Sequence, residues 1–169
     1  SPFSTFGGKP TTFAVGGPPK ALQVADVNDD GMVDLVTLNQ QSVSVLLGNG
    51  DGTFADTQDT QLDGFTGTTL TIVDANGDGL HDIVASDIRG NVAFLLGNGA
   101  SAFAAPLIYG AAFGGYRGSH TVADFEGDGI LDAAYADHSF TSNGGFVSVL
   151  SGNGNGTLQA PHILSGFND

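Results

Sequence analysis

The sequence predicts an all-β fold: a β-propeller segment of three four-stranded antiparallel blades, forming one unit over residues 1–169. Three observations carry this. An acidic ten-residue segment recurs as Ala25–Asp34 (ADVNDDGMVD), Val73–Asp82 (VDANGDGLHD) and Ala123–Asp132 (ADFEGDGILD). Its first aspartates, Asp26, Asp74 and Asp124, are 48 and 50 residues apart. A Gly-Asn-Gly turn follows each of them after 22, 23 and 28 residues, and the extra length of the third unit falls in Ser139–Gly145. Finally, no stretch holds a helical period with caps, and glycine, 27 of 169 residues, interrupts every candidate. Four short strands per 48–50 residues is the arithmetic of a propeller blade.

Short apolar or alternating runs between turn clusters give the strands in order. Ala21–Ala25, Leu70–Val73 and Thr121–Ala123 lead into the acidic loops. Asp34–Leu38, Asp82–Ser86 and Asp132–Ala136 leave them, and Val43–Leu47, Val92–Leu96 and Phe146–Leu150 are third strands. Fourth, outer strands are expected around Phe54, Phe103 and Leu158. The repeats span about 21–68, 69–118 and 119–164, and an additional strand is expected at Thr11–Val15, with Phe13 in the place of Phe54.

These units resemble FG-GAP/VCBS repeats, the calcium-loop blades of integrin α-subunit propellers and of many secreted microbial proteins. The resemblance runs from about Ala21 to Leu164. The family's D-x-[DN]-x-D-G-x-x-D loop is intact twice, and Glu126 takes its third position in the last copy. The GNGxGTF-like turn is clear at Gly48–Phe54 and looser at Gly97–Phe103. Propellers close with roughly four to eight blades, so three imply either further blades in a larger propeller or self-association. Two copies together would supply about six blades.

Loop positions 1, 3, 5 and 9 carry side-chain oxygens: Asp26, Asn28, Asp30 and Asp34; Asp74, Asn76, Asp78 and Asp82; Asp124, Glu126, Asp128 and Asp132. Glycine at position 6 permits a sharp turn, and the carbonyls of Met32, Leu80 and Ile130 at position 7 offer another oxygen. An all-oxygen, acid-rich cage suits Ca²⁺, so three Ca²⁺ sites are expected. The lack of His or Cys ligands disfavours Zn²⁺. The alternative is an Asx-rich turn without an ion, in which converging carboxylates repel one another. Ten of the 18 acids are proposed ligands in these loops, and three divalent ions would bring the net charge from −14 to −8.

That charge argues against a nucleic-acid partner, and no apolar run is long enough for membrane insertion. With no cysteine there is no disulfide and no thiolate chemistry. The Gly-rich segment Tyr109–His120 and the third-blade insertion bring together Tyr116, Arg117, His120 and His138 as candidate ligand-binding residues, where aromatic rings and polar groups suit a sugar. The same aromatics also fit packing between blades. Ser119, His120 and Asp137 lack a nucleophile-elbow sequence, so no catalytic residue is assigned and enzymatic activity stays open. Asp87 and Asp137 read as Asx-turn residues, and the sequon Asn155-Gly156-Thr157 as the repeat's own turn.

These readings imply a calcium-stabilised extracellular or cell-surface binding or adhesion module, lectin-like by analogy, with a carbohydrate or cell-surface ligand. An accessory or propeller part of a secreted polysaccharide-active enzyme, or a purely structural assembly module, are the alternatives.

Overall fold

Twelve strands in three sheets account for the regular structure of the computed structural model, which describes residues 11–100, 102–109, 120–138, 145–159 and 162–164. The first sheet is β1 (Pro19–Ala25), β2 (Asp34–Asn39), β3 (Ser42–Leu46) and β4 (Gln58–Gln61). The second is β5 (Gly67–Val73), β6 (Asp82–Asp87), β7 (Val92–Leu95) and β8 (Leu107–Tyr109). The third is β9 (His120–Ala123), β10 (Asp132–His138), β11 (Gly145–Leu150) and β12 (His162–Leu164). Each is antiparallel, with strands adjacent in chain order. No helix occurs among the described residues.

Register places the acidic loops. Ala25 pairs with Asp34, Val73 with Asp82 and Ala123 with Asp132, so each loop bridges the first two strands and its ninth residue opens the second. The third strand then ends in the Gly-Asn-Gly turn, closed by bridges from Gly48 to Phe54, Gly97 to Phe103 and Gly152 to Leu158. Only glycine fits at the first position of that turn. A Cβ there would lie 2.2 Å from the Val33 carbonyl oxygen at Gly48, 2.2 Å from that of His81 at Gly97, and 2.3 Å from that of Leu131 at Gly152.

Two expectations need correction. The fourth strands do not sit around Phe54, Phe103 and Leu158; they begin at Gln58, Leu107 and His162, four residues later each time. The Phe/Leu residue is held by its bridge and used for packing, which delays the outer strand. Thr11–Val15 forms no strand either. The Gly16 N–H goes to Ser44 Oγ instead of a ladder, and Phe13 packs edge-on against Phe54, ring centroids 5.1 Å apart.

Alternation in the strands divides the core into two seams. Val36, Leu38, Val43 and Val45 of the first sheet meet Leu70, Ile83, Ala85 and Leu95 of the second. Val84, Val92 and Phe94 on the other side of the second sheet meet Ala133, Leu150 and Leu158 of the third. Each large side chain so buried contributes about 1.5–3 kcal/mol. Leu62 and Phe65, from the crossover between β4 and β5, plug the first seam and are fully buried. Gln23 staples the same seam: its Nε2 donates to the Leu70 carbonyl and its Oε1 accepts the Ile72 N–H, each at 3.0 Å.

One face has no such cover among the described residues. Leu22 pairs with Thr37 as Leu70 pairs with Ala85, so the two leucines are equivalent positions. Leu70 is 6% exposed and Leu22 59%. Val24 and Val33 share that exposure, and an open groove of about 410 Å³ runs past Phe13, Leu22, Leu35 and Leu46.

Candidate functional site

The loops fold through their own carboxylates. In the first, Asp26 Oδ1 accepts the Asp30 N–H (3.1 Å) and Oδ2 the Gly31 N–H (2.7 Å), while Asp30 Oδ1 accepts the Met32 N–H (2.8 Å). In the second, Asp74 accepts from Gly77, Asp78 and Gly79, and Asp78 from Leu80. The third repeats this with Asp124 accepting from Gly127, Asp128 and Gly129, and Asp128 from Ile130. Gly31, Gly79 and Gly129 at position 6 have φ of 83°, 85° and 85°, a conformation that disfavours any side chain. Position 4 is also left-handed, at Asp29, Gly77 and Gly127. A short acidic side chain tolerates that geometry, so the position-4 requirement was hidden in the first loop.

Position 3 separates the loops. Asn28 Oδ1 and Asp26 Oδ1 both accept the Asp30 N–H, which draws two side-chain oxygens to one point, and Asn28 Nδ2 donates to Asp30 Oδ2 at 2.8 Å. Asn76 makes the same bonds to Asp78, at 3.1 and 2.9 Å. In the third loop Glu126 Oε1 accepts from Ser151 Oγ at 2.7 Å.

Position 9 has a role that spacing did not reveal. Asp34 and Asp82 are fully buried and Asp132 nearly so. Asp34 Oδ2 accepts the Val27 N–H and Oδ1 the Gly48 N–H, both at 2.8 Å. Asp82 does the same for Ala75 (2.8 Å) and Gly97 (2.7 Å), and Asp132 for Phe125 and Gly152 (both 2.9 Å). Each aspartate thus clamps the start of its loop to the following Gly-Asn-Gly turn.

Burial pushes the Asp82 carboxyl above the usual carboxylate range despite the opposing N–H groups of Gly97 and Ala75. The folded state therefore holds that proton more tightly than the unfolded chain, and ionisation of Asp82 weakens folding as pH rises through the raised value. The exposed Asp124 is displaced the other way, held low chiefly by the Gly129 N–H.

The donor set of the loops is entirely oxygen, the chemistry that a hard cation takes. Among the described residues, no three His, Asp or Glu side chains are grouped closely enough to hold an ion, the carboxylates being engaged by backbone N–H groups instead. Of the candidate ligand-binding residues, Tyr116 and Arg117 lie outside the described residues. His120 begins β9 and His138 ends β10, at the end of the third blade opposite its acidic loop. Asp87 is an Asx-turn residue, accepting from the Arg89 and Asn91 N–H groups and from Asn91 Nδ2. Asn155 likewise accepts from Thr157 N and Oγ1 within its turn.

Four-stranded blades, each with an acidic loop between its first two strands and locked by a buried aspartate, define a protein built of β-propeller repeats. The profile of the FG-GAP-like repeat matches residues 26–85 and 74–135, and the chain belongs to that family. No curated protein matches the sequence. Among solved structures, the chain is similar to an Agrocybe aegerita lectin described by its specific recognition of non-reducing terminal N-acetylglucosamine, with a TM-score of 0.58 and 24% identity. That match covers 84% of this chain and 37% of the lectin. A Photorhabdus luminescens Tc holotoxin pore matches with a TM-score of 0.48 and 18% identity, over 82% of this chain and 8% of that one. The chain thus spans well under half of either relative.

The clamp makes a prediction. Asp82→Asn keeps the shape but leaves one buried N–H facing an amide NH₂, which costs about 1–3 kcal/mol. Urea denaturation in the presence of chelator should show a correspondingly lower midpoint; an unchanged midpoint would remove the clamp from the account.

Proposed function

We propose that this protein is an extracellular binding module whose propeller blades are held by calcium and whose ligand is a carbohydrate. The observation that carries the calcium reading is the convergence of the position-1 and position-3 oxygens on a single N–H in the first two loops. Asp26, Asn28 and Asp30 would hold one ion and Asp74, Asn76 and Asp78 another, with the position-7 carbonyls of Met32 and Leu80 adding an oxygen. The third loop offers Asp124, Asp128 and the Ile130 carbonyl. A bound cation supplies positive charge that offsets the carboxylates and ties the first strand of a blade to the second. Millimolar extracellular calcium suits modules of this kind, and no helix among the described residues is long and apolar enough to cross a membrane.

The carbohydrate reading is supported by family membership and by the lectin's shared fold. Tyr116, Arg117, His120 and His138 are the proposed ligand-binding residues, His120 and His138 standing at the end of β9 and β10 opposite the acidic loop. The exposed face at Leu22 and Val24 is proposed to receive a further blade, since the equivalent face of the second sheet is covered by the first.

Three measurements test these parts. Ligand saturation at a hundredfold over Kd adds about 2.7 kcal/mol per site, so chelating protein purified with calcium should lower Tm by at least about 5 °C; an unchanged Tm refutes the calcium reading. Sedimentation of this chain should show self-association that Leu22→Asp with Val24→Asp abolishes, whereas a monomer of 17.0 kDa would assign the covering blade to other chain segments. Binding on a glycan array should disappear in Tyr116→Ala with Arg117→Ala; binding that persists would move the sugar site elsewhere.

A further inference from the structure

We infer that the chain pairs head to tail with a second copy of itself: the outer face of its third blade, carrying Phe125 and Val147, docks on the Leu22 and Val24 face of the second copy's first blade. The inference rests on the further-blade reading above and deepens it by naming the partner and the partner's face.

The two seams inside the chain set the rule. The side of a blade that faces the next one carries loop position 2 and alternate residues of the second and third strands. In the first blade these are Val27, Val36, Val43 and Val45, buried against the second blade. In the second they are Ala75, Val84, Val92 and Phe94, buried against the third. Register carries the same positions into the third blade. Val36, Val84 and Ala134 each stand two residues after their clamp aspartate and pair with Val45, Phe94 and Val149. The forward face of the third blade is therefore Phe125, Ala134, Val147 and Val149. Val43 and Val92 are buried, whereas their equivalent Val147 is 46% exposed. Val27 and Ala75 are buried, whereas their equivalent Phe125 is 49% exposed.

The other end of the chain shows the complementary face. Leu70, Ile83 and Leu95 look back from the second blade into the first seam, and their equivalents Leu22, Leu35 and Leu46 line the open groove. Loop position 8 belongs to this backward face as well, since Leu131 packs into the second seam in the same cluster as Ala75 at position 2. A third seam of the same kind would bring Phe125 against Val33, both exposed. The turns agree. A Cβ on Gly156 would meet Leu96 of the preceding blade at 2.5 Å, whereas one on its equivalent Gly52 would meet nothing within 4 Å. Phe13 and Val15 line the rim of this face, on a segment tied to its own blade by the Thr57 hydroxyl on the Ala14 carbonyl, and leave Leu22, Val24 and Val33 open. Exposed apolar surface of this extent marks a contact face. Every seam in the chain joins a forward face to a backward one, and such a heterologous contact either closes into a ring or propagates. Two copies supply six blades, inside the roughly four to eight with which propellers close. Closure covers both ends of both chains through two identical seams.

Because the chain has no cysteine, the two faces can be marked separately. When Val33→Cys and Phe125→Cys chains are mixed, a short bismaleimide should link one of each kind into a dimer, and neither variant should link to itself. In sedimentation the parent should run at twice 17.0 kDa. Phe125→Asp with Val147→Asp should return it to the monomer, as Leu22→Asp with Val24→Asp does. Those two monomeric variants should form a dimer when mixed, through the one seam left intact between them, which also shows that both fold. A parent that stays monomeric overturns the inference alone and leaves the further-blade reading standing, with its blade supplied elsewhere. Self-linking of Val33→Cys, or a dimer that survives Phe125→Asp with Val147→Asp, means that two first-blade faces pair with each other. That result overturns the inference and the further-blade reading together.

Discussion

A buried carboxylate with two backbone partners is the interaction on which each blade depends. Asp34, Asp82 and Asp132 each join the N–H that follows the first loop residue to the N–H of the turn glycine, across 14, 15 and 20 residues. Hydrogen bonds to a charged group contribute roughly 1.5–3 kcal/mol each, and here they oppose the cost of taking the carboxylate out of water, which at Asp82 still prevails. The clamp also explains why the two sequence landmarks travel together. The acidic loop and the Gly-Asn-Gly turn are distant in sequence, yet one side chain binds both, and the turn glycine lies too close to a loop carbonyl to carry a Cβ.

Given rigid blades, stacking follows from strand alternation. One side of β2 and β3 offers Val36, Leu38, Val43 and Val45, and the facing side of the next sheet answers with Leu70, Ile83, Ala85 and Leu95. The first sheet presents its own Leu22 and Val24 in the equivalent place and finds no cover among the described residues. It is partly shielded at its rim by the segment carrying Phe13 and Val15, with Gly16 pressed against Ser42 and Asp59. Blade faces are thus interchangeable in pattern while differing in what covers them.

Strand order was legible because turn chemistry and strand alternation agree at every repeat. The inner three strands of each blade were read to within two or three residues. The outer strands were misplaced because Phe54, Phe103 and Leu158 are apolar and follow a turn, which reads as strand; their bridging role depends on a glycine across the turn, a non-local fact. Thr11–Val15 misled for a related reason. Its alternation is strand-like, but no ladder edge accepts it, and a serine hydroxyl takes the Gly16 N–H. In the loops, the residue types that favour a cation were visible at once. The dual identity of position 9 was not, since burial distinguishes Asp34 from Asp30 and spacing does not.

That distinction divides the acid of this chain by the work it does. Three of the eleven loop acids are buried clamps, Asp29 stands at position 4, and the remaining seven lie at positions 1, 3 and 5, exposed or half-buried. The clamps are satisfied by backbone N–H groups whether or not an ion is present. The outer seven also accept loop N–H groups, or the Ser151 hydroxyl in the case of Glu126, but they keep lone pairs facing solvent. The loops are thus already shaped by hydrogen bonds to their own backbone. On this division, position 3 is free to vary from blade to blade: it lies outside the clamp, so Glu126 accepts from Ser151 while Asp132 still holds Phe125 to Gly152.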